Sequence, residues 1–440
     1  MLEDPLGLDR RLADAARSWQ SFRVALREGR GEDHTFEHLG RFVSLELLSG
    51  LADARSEPLG EALLRWALAI HEAHALLDAE RAHAHAVRVE RHVLDAPERA
   101  ELTLRELLAQ ALANHRGQRR AFLEVLVERA AGATDLAVRL AERRVEVREQ
   151  VSSTLRGLPL EESDLPGKES VDAAQRWLEQ TNDVWGSLGI GTLERVLEVG
   201  LGRDSRATWP ALVSQRAMAE LLREGRWAEH AVGAAGALPA LGAASFLRGL
   251  WRFGATLAAS FAGPRGPFVL GHDPYGLDRA RFGALFAGLP GSESFARREL
   301  GVSAAASSDH RRTLAQVLLV ASREAALRVL LRAPSLGGRK RLAQSYSELT
   351  HGALGVELPQ AAFGVLFTPR PGDAQRFAGI LLAADLDAHL IEAHDDDWYR
   401  NPRAVEDLRE TARLPANVVA PPEALERGAK RLLSLLTSAS

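Results

Sequence analysis

Apolar residues recur three and four positions apart along nearly the whole chain, and this pattern restricts the fold more than any other feature. Leu12, Ala16, Trp19, Phe22 and Leu26 form one such stripe. Phe36, Leu39, Val43 and Leu47 form the next, with Gly50 expected to close that helix as its C-cap. Leu64, Leu68, His71, Ala75, Ala82, Ala86, Val89 and Val93 continue one stripe over many turns, until Pro97 stops it. A period near 3.6 puts these side chains on one helix face, where they can be buried against other helices. Alternation with period two, the mark of a half-buried strand, is nearly absent. The pattern predicts an all-α, multi-helix body. At most one short β element is expected, in Pro-Phe-Val-Leu within the loop at 264–276.

The punctuation of the helices suggests an organisation. Gly157 to Ser170 holds two prolines, two glycines and an acidic run, and reads as a linker. It separates an N-terminal helical bundle, 1–156, from a C-terminal helical region, 171–440. Within the latter, Thr208 and Pro210 resemble a helix start. Phe246, Leu250, Phe253, Leu257 and Phe261 form a clean stripe. Further helices are expected at 308–331 and 374–394, after Asn401-Pro402, and after Pro421-Pro422.

Composition excludes several functions. The 440 residues carry no cysteine, which removes disulfides, thiolate metal sites and a cysteine nucleophile. The net charge of −4 lacks the basic excess of a dedicated nucleic-acid binder. The least polar stretch, Ala231 to Leu247, is mostly Ala and Gly and contains Pro239, unlike a membrane span of ~20 strongly apolar residues. The N-terminus is acidic and has no apolar segment. A cytoplasmic protein with neither membrane nor nucleic acid as partner is expected. Lysine occurs only at Lys168, Lys340 and Lys430; arginine supplies the remaining positive charge, mostly as solvated helix faces with i,i+4 pairs.

Catalytic templates are weak. H-E-x-x-H, which sets two imidazoles and a general base on one helix face, does not occur. His71 and His74 stand three apart, and His85, His92 and Asp78 follow turns later, too spread for one ion. His34, Glu37 and His38 match the inverted H-x-x-E-H pattern, but the strands of that fold class are missing. These five residues, His34, Glu37, His38, His71 and His74, are the alternative metal ligands should a relocated site exist. Asp385, His389, Glu392 and Asp396, followed by the run Asp395 to Asp397, suit an exposed helix face. No G-x-S-x-G elbow or P-loop occurs, and Gly189-Ile190-Gly191 lacks a third glycine.

The segment AQRFAGILLAADLDAHLIEAHDDDWYRNPRA, Ala374 to Ala404, resembles the thimet oligopeptidase/oligoendopeptidase group of zinc peptidases, and looks closest to its short bacterial members. A long helix, an acidic turn, Trp398-Tyr399 and Asn401-Pro402 carry the likeness. Ala353 to Pro359 and Phe282 to Phe286 are also similar, so roughly the second half of the chain is covered. The resemblance implies a two-lobed helical body of the gluzincin kind, with the family's H-E-x-G-H helix at Leu250 to Leu257. There Trp251 and Ala255 take the places of the two histidines, Arg252 that of the catalytic glutamate, and Gly254 keeps the glycine. The third zinc ligand falls near Ala280, and the family's tyrosines near Asp373 and Phe377. An always-charged guanidinium cannot accept a proton from a metal-bound water. The resemblance therefore implies a pseudopeptidase without zinc or other cofactor, binding an unidentified peptide or protein. Arg248 and Arg252, one turn apart, with His272, Asp273 and Tyr275 in the following loop, are its candidate ligand-binding residues. A hydrolase with a relocated metal and a helical interaction scaffold are the alternatives.

Overall fold

The computed structural model describes residues 4–30, 35–94, 100–113, 116–155, 168–200, 209, 242–262, 266–335, 338–413 and 420–439. Helix α1 spans Pro5–Glu28. The Asp4 carboxylate accepts the Gly7 amide at 2.8 Å, Pro5 occupies the first turn, and Gly29 ends the helix at φ 77°. Helices α2 (Thr35–Gly40) and α3 (Leu45–Asp53) divide the second apolar stripe, because Ser44 caps α3 through the Leu47 amide. Gly50 lies inside α3 and is not its cap. The long third stripe is also divided: α4 (Pro58–Ala75) ends at Leu76 and α5 (Leu77–Arg88) begins there. Beyond it the chain turns into a two-stranded antiparallel ribbon, β1 (His92–Leu94) with β2 (Ala100–Leu102), Val93 opposite Glu101.

Helix α6 (Leu104–Ala113) starts from a reciprocal capping box. The Thr103 amide donates to Glu106 at 2.8 Å, and the Glu106 amide to the Thr103 hydroxyl at 3.2 Å. Helices α7 (Arg116–Arg129) and α8 (Ala131–Thr154) complete the first half. Most of the expected linker falls outside the described residues, and its last three residues open α9 (Lys168–Gln180). Short α10 (Asn182–Ser187) and α11 (Leu193–Gly200) follow. Thr208 and Pro210 lie outside the described residues.

The stripe from Phe246 to Phe261 is α12 (Ala243–Ala262). The segment expected to hold a strand is instead a short helix, α13 (Phe268–Gly271), so among the described residues β structure sits at 92–94 and 100–102 and not at 266–276. The cause is Asp9 of α1: its two carboxylate oxygens take the amides of Phe268 and Val269 at 3.0 and 2.9 Å, leaving neither for a ladder. Helices α14 (Leu277–Gly288), α15 (Glu293–Arg298), α16 (Ser307–Ser335), α17 (Gly338–Leu354), α18 (Asp373–His394), α19 (Pro402–Arg413) and α20 (Pro422–Thr437) complete the all-α architecture.

Beside a small third cluster at Leu76, Leu140 and Val147, two main cores organise these helices. The smaller joins α1 to α4 with Val151, Leu155, Val269 and Tyr275. The larger extends from Ala86 to Leu436 and draws on both sides of the 157–170 segment. In the larger core, α12, α14, α18 and α20 approach backbone to backbone. A Cβ on Gly254 would stand 2.2 Å from the Phe282 carbonyl oxygen, and one on Gly428 2.1 Å from that of Leu381. Only glycine permits such spacing. Helix α13 joins the smaller core, where the Trp66 indole donates to the His272 carbonyl at 2.6 Å and packs tilted against the Phe268 ring. Among the described residues no helix is long and apolar enough to cross a membrane.

A candidate anion-binding cleft

Arginines from five helices converge where the first half of the chain faces α12. Arg23 and Arg27 lie one turn apart at the end of α1. The Arg88 and Arg105 guanidiniums, from α5 and α6, both donate to the Arg27 carbonyl. That carbonyl belongs to the last turn of α1, where the helix dipole favours cations. Across from them α12 presents Arg248 and Arg252, and α14 presents Arg279. Burial, then Arg23 and Arg252, lowers the pKa of Arg27, so the two sides stand close enough to repel. Burial, Arg105 and Arg27 bring Arg88 down to about 10. Arg248 is lowered by burial and then by Arg252, against the attraction of Glu324. Arg279 is lowered by burial, with Asp273 opposing and Arg23 adding to the effect.

Two further arginines stand at α18 and in the turn before it. Arg376 is exposed and its guanidinium lies 5.1 Å from the centre of the Trp251 ring. Arg370 is exposed as well, yet neighbouring Arg328 and then burial lower it to about 10. Glu324, held low by the cations Arg328, Arg376 and Arg370, and Asp273 supply part of the balancing negative charge.

The structure separates the five candidate ligand-binding residues. Arg252 is exposed on α12. Arg248 beside it donates to the Gly200 carbonyl at 3.0 Å. The other three are embedded in the fold. His272 donates through Nδ1 to the Phe268 carbonyl at 3.0 Å, stacks on that ring, and has its pKa lowered chiefly by burial. Asp273 is buried and accepts the amides of Tyr275 and Leu277, fixing the entry to α14. Tyr275 is buried, facing Glu72 and Arg148.

The places that the resemblance gives to zinc ligands hold no imidazole or carboxylate. The Trp251 indole packs on α14 so closely that a Cβ on Gly283 would stand 2.8 Å from it. Ala280 is buried against Gly379 of α18. Asp373 is buried and accepts the Arg370 amide, and Phe377 lies in the core. Of the alternative ligands, His34 lies outside the described residues. Glu37 pairs with Arg81 at 3.2 Å, and His38 is exposed. His71 and His74 donate to the carbonyls of Val43 and Glu37 at 2.9 and 3.1 Å, fastening α4 to α2 and the turn after it. Among the described residues no group of three or more His, Asp or Glu side chains could hold a metal ion. The acidic turn is engaged in packing: Asp385 meets Arg427, Asp396 accepts the Ser294 amide, and Asp397 pairs with Arg298.

An open groove of about 1490 Å³ lies on another side of α1, between it and α5. Val24, Leu26 and Val89 line it, with Arg17, Arg30 and Arg81 also present. It contains no acid–base pair suited to hydrolysis. Sequence reasoning did not find Arg23, Arg27, Arg88, Arg105 or Arg279. The one available signal was the i,i+4 spacing of Arg23 and Arg27, the same as that of Arg248 and Arg252. The chain matches no protein-family model, and it matches none of the curated proteins.

Proposed function

We propose that this chain is a non-catalytic, peptidase-like binding protein whose cleft takes an anionic ligand, an acidic segment of a peptide or protein. The observation that carries the reading is geometric: the Arg88 and Arg105 guanidiniums both donate to the Arg27 carbonyl, and Arg248 and Arg252 stand exposed one turn apart on α12. Assembling like charges costs free energy, and a ligand carrying several carboxylates recovers it through bidentate, charge-assisted hydrogen bonds. Arginine where the resemblance expects a general base favours binding over hydrolysis of the bound chain. The regulatory or binding role follows from that substitution, and the ligand class from the guanidiniums.

The test is thermal melting in low salt with and without poly-glutamate. The peptide should raise the melting temperature, and added salt should weaken the effect. Arg248→Ala with Arg252→Ala should reduce it strongly while the apo protein stays folded. An unchanged response in the double variant sinks the cleft reading. Stoichiometric zinc in protein purified without added metal would sink the non-catalytic part and favour a relocated metal site.

A further inference from the structure

The open groove between α1 and α5 ends against three of the clustered arginines. The two helices run parallel along it. The Arg81 guanidinium lies 5.5 Å from the centre of the Phe22 ring, and two turns later a Cβ on Gly29 would stand 3.7 Å from the Val89 side chain. The lining is largely apolar, with Val24, Ala25, Leu26, Ala82 and Val89. Val24 and Val89 each remain 41% exposed. Single exposed apolar side chains are ordinary, but these two line one groove of about 1490 Å³. Among the described residues no carboxylate lines it. Its arginines are nevertheless balanced from just outside: Arg17 pairs with Asp14, Arg30 with Glu28 and Arg81 with Glu37.

One end of the groove is not balanced in this way. Gly29 lines that end, and a Cβ on it would stand 3.5 Å from the Arg88 carbonyl oxygen. The Arg88 and Arg105 guanidiniums both donate to the carbonyl of Arg27, two residues earlier. None of the guanidiniums of Arg27, Arg88 and Arg105 pairs with a carboxylate among the described residues. A carbonyl satisfies a donor without cancelling its charge. Positive charge is therefore concentrated at one end of an apolar trough whose sides are neutral.

We propose that the groove seats one amphipathic helix of a partner protein, its apolar stripe on Val24 and Val89 and its acidic first turn on Arg27, Arg88 and Arg105. The acidic ligand is the one proposed above, on which this rests; its helical form and its orientation are new. From Arg17 to Gly29, α1 rises about 18 Å, the length of about three helical turns. A helix laid in such a trough faces inward with residues at i, i+3, i+4 and i+7. Acidic residues favour the first turn of a helix, where they meet the positive end of its dipole. With that turn at the three arginines, the ligand lies antiparallel to α1 and α5. A uniformly acidic chain gains nothing along the neutral sides, and a wholly apolar one leaves the arginines unmet.

The experiment is fluorescence anisotropy of two labelled Ala-rich peptides of about fifteen residues, titrated with the full chain. In the first, leucines recur at helical spacing and glutamates occupy the first turn. In the second the glutamates stay in place and the leucines are scattered around the helix. The first should bind saturably and about ten-fold more tightly than the second. Val24→Gln with Val89→Gln removes the apolar contact at two exposed positions. It should erase that preference while the melting response to poly-glutamate stays as in the unaltered chain. Arg105→Ala should weaken the first peptide about ten-fold. Equal affinity for the two peptides, or a preference that survives the double glutamine variant, overturns the proposal; the acidic-ligand reading then still stands if poly-glutamate stabilises, and falls with it if poly-glutamate does not. Binding of the first peptide that Arg105→Ala leaves unchanged overturns the charged end of the site and with it the proposal. Self-association of the free chain in sedimentation, lost in the double variant, puts a second copy in the groove and overturns it. A lower melting temperature of the unliganded double variant means that the chain's own residues cover the two valines, and overturns it equally.

Discussion

Arg323 shows how much one side chain can organise. It is 1% exposed, and its guanidinium donates to the carbonyls of Leu178, Gly352 and Ala353, to the Thr181 hydroxyl and to Asn182 Oδ1. It thereby meets the C-terminal ends of α9 and α17 together, where helix dipoles favour a cation. No carboxylate is among these partners, and burial lowers the pKa to about 10. Arg323→Lys offers three donors in place of a five-donor fork and leaves carbonyls unsatisfied. We expect it to cost about 3 kcal/mol or more in urea unfolding; a loss under about 1 kcal/mol would show that the network is not cooperative. Asp387 makes a pH-dependent contribution. Burial, opposed by the Trp398 indole donor at 3.0 Å, raises its pKa to about 6. A folded-state value above the unfolded one means that stability is gained in acid and lost as pH rises through 6. Asp387→Asn keeps the acceptor without the charge. It should stabilise by about 1–2 kcal/mol at pH 7.5, discounted for partial exposure, with the gain vanishing near pH 4. A gain independent of pH would refute the assignment. Neither role is legible in the sequence, where Arg323 is one arginine among many and Asp387 one acid on a polar face.

At the scale of elements, periodicity revealed which segments are helical but not where the helices stop. Stripe positions continue across Ser44 and Leu76 because the side-chain pattern there survives a local break in the backbone. The short ribbon at 92–102 pairs only three residues on each side, too few for alternation to register. Residues 268–271 look extended until Asp9, far away in sequence, claims their amides. Glycines carry two opposite meanings that sequence alone does not separate. Gly50 is exposed within α3, and a Cβ there would meet nothing within 4 Å. Gly50→Ala should therefore stabilise by ~0.5–1 kcal/mol through helix propensity. Gly254→Ala drives a Cβ into the Phe282 backbone and forces α12 from α14; a cost of ~1–3 kcal/mol is expected. Paired thermal melts of the two variants check both signs, and a neutral Gly254→Ala would mean that the helices can separate freely.

At the scale of the whole molecule, the arginine cluster is a tertiary property. Arg248 and Arg252 could be selected from the sequence because they share a helix face, whereas Arg88 and Arg105 meet Arg27 only after three segments fold together. That construction has a consequence for control. Even after burial and repulsion, Arg88 and Arg370 titrate at about 10, so both stay cationic from mildly acidic to mildly alkaline solution. Nearby His83 has its pKa lowered from the ordinary histidine range, chiefly by burial, which favours its neutral form. Affinity for poly-glutamate should thus be flat between pH 6 and 8.5, and a marked dependence across that interval would show that another titrating group governs the grip. A cleft walled with lysine or histidine could be tuned by proton concentration. One walled with arginine has no such dial on the protein side. Its occupancy answers to ionic strength and to the ionisation of what it holds, so any release signal must come from salt, a competing polyanion, or a chemical change in the ligand itself.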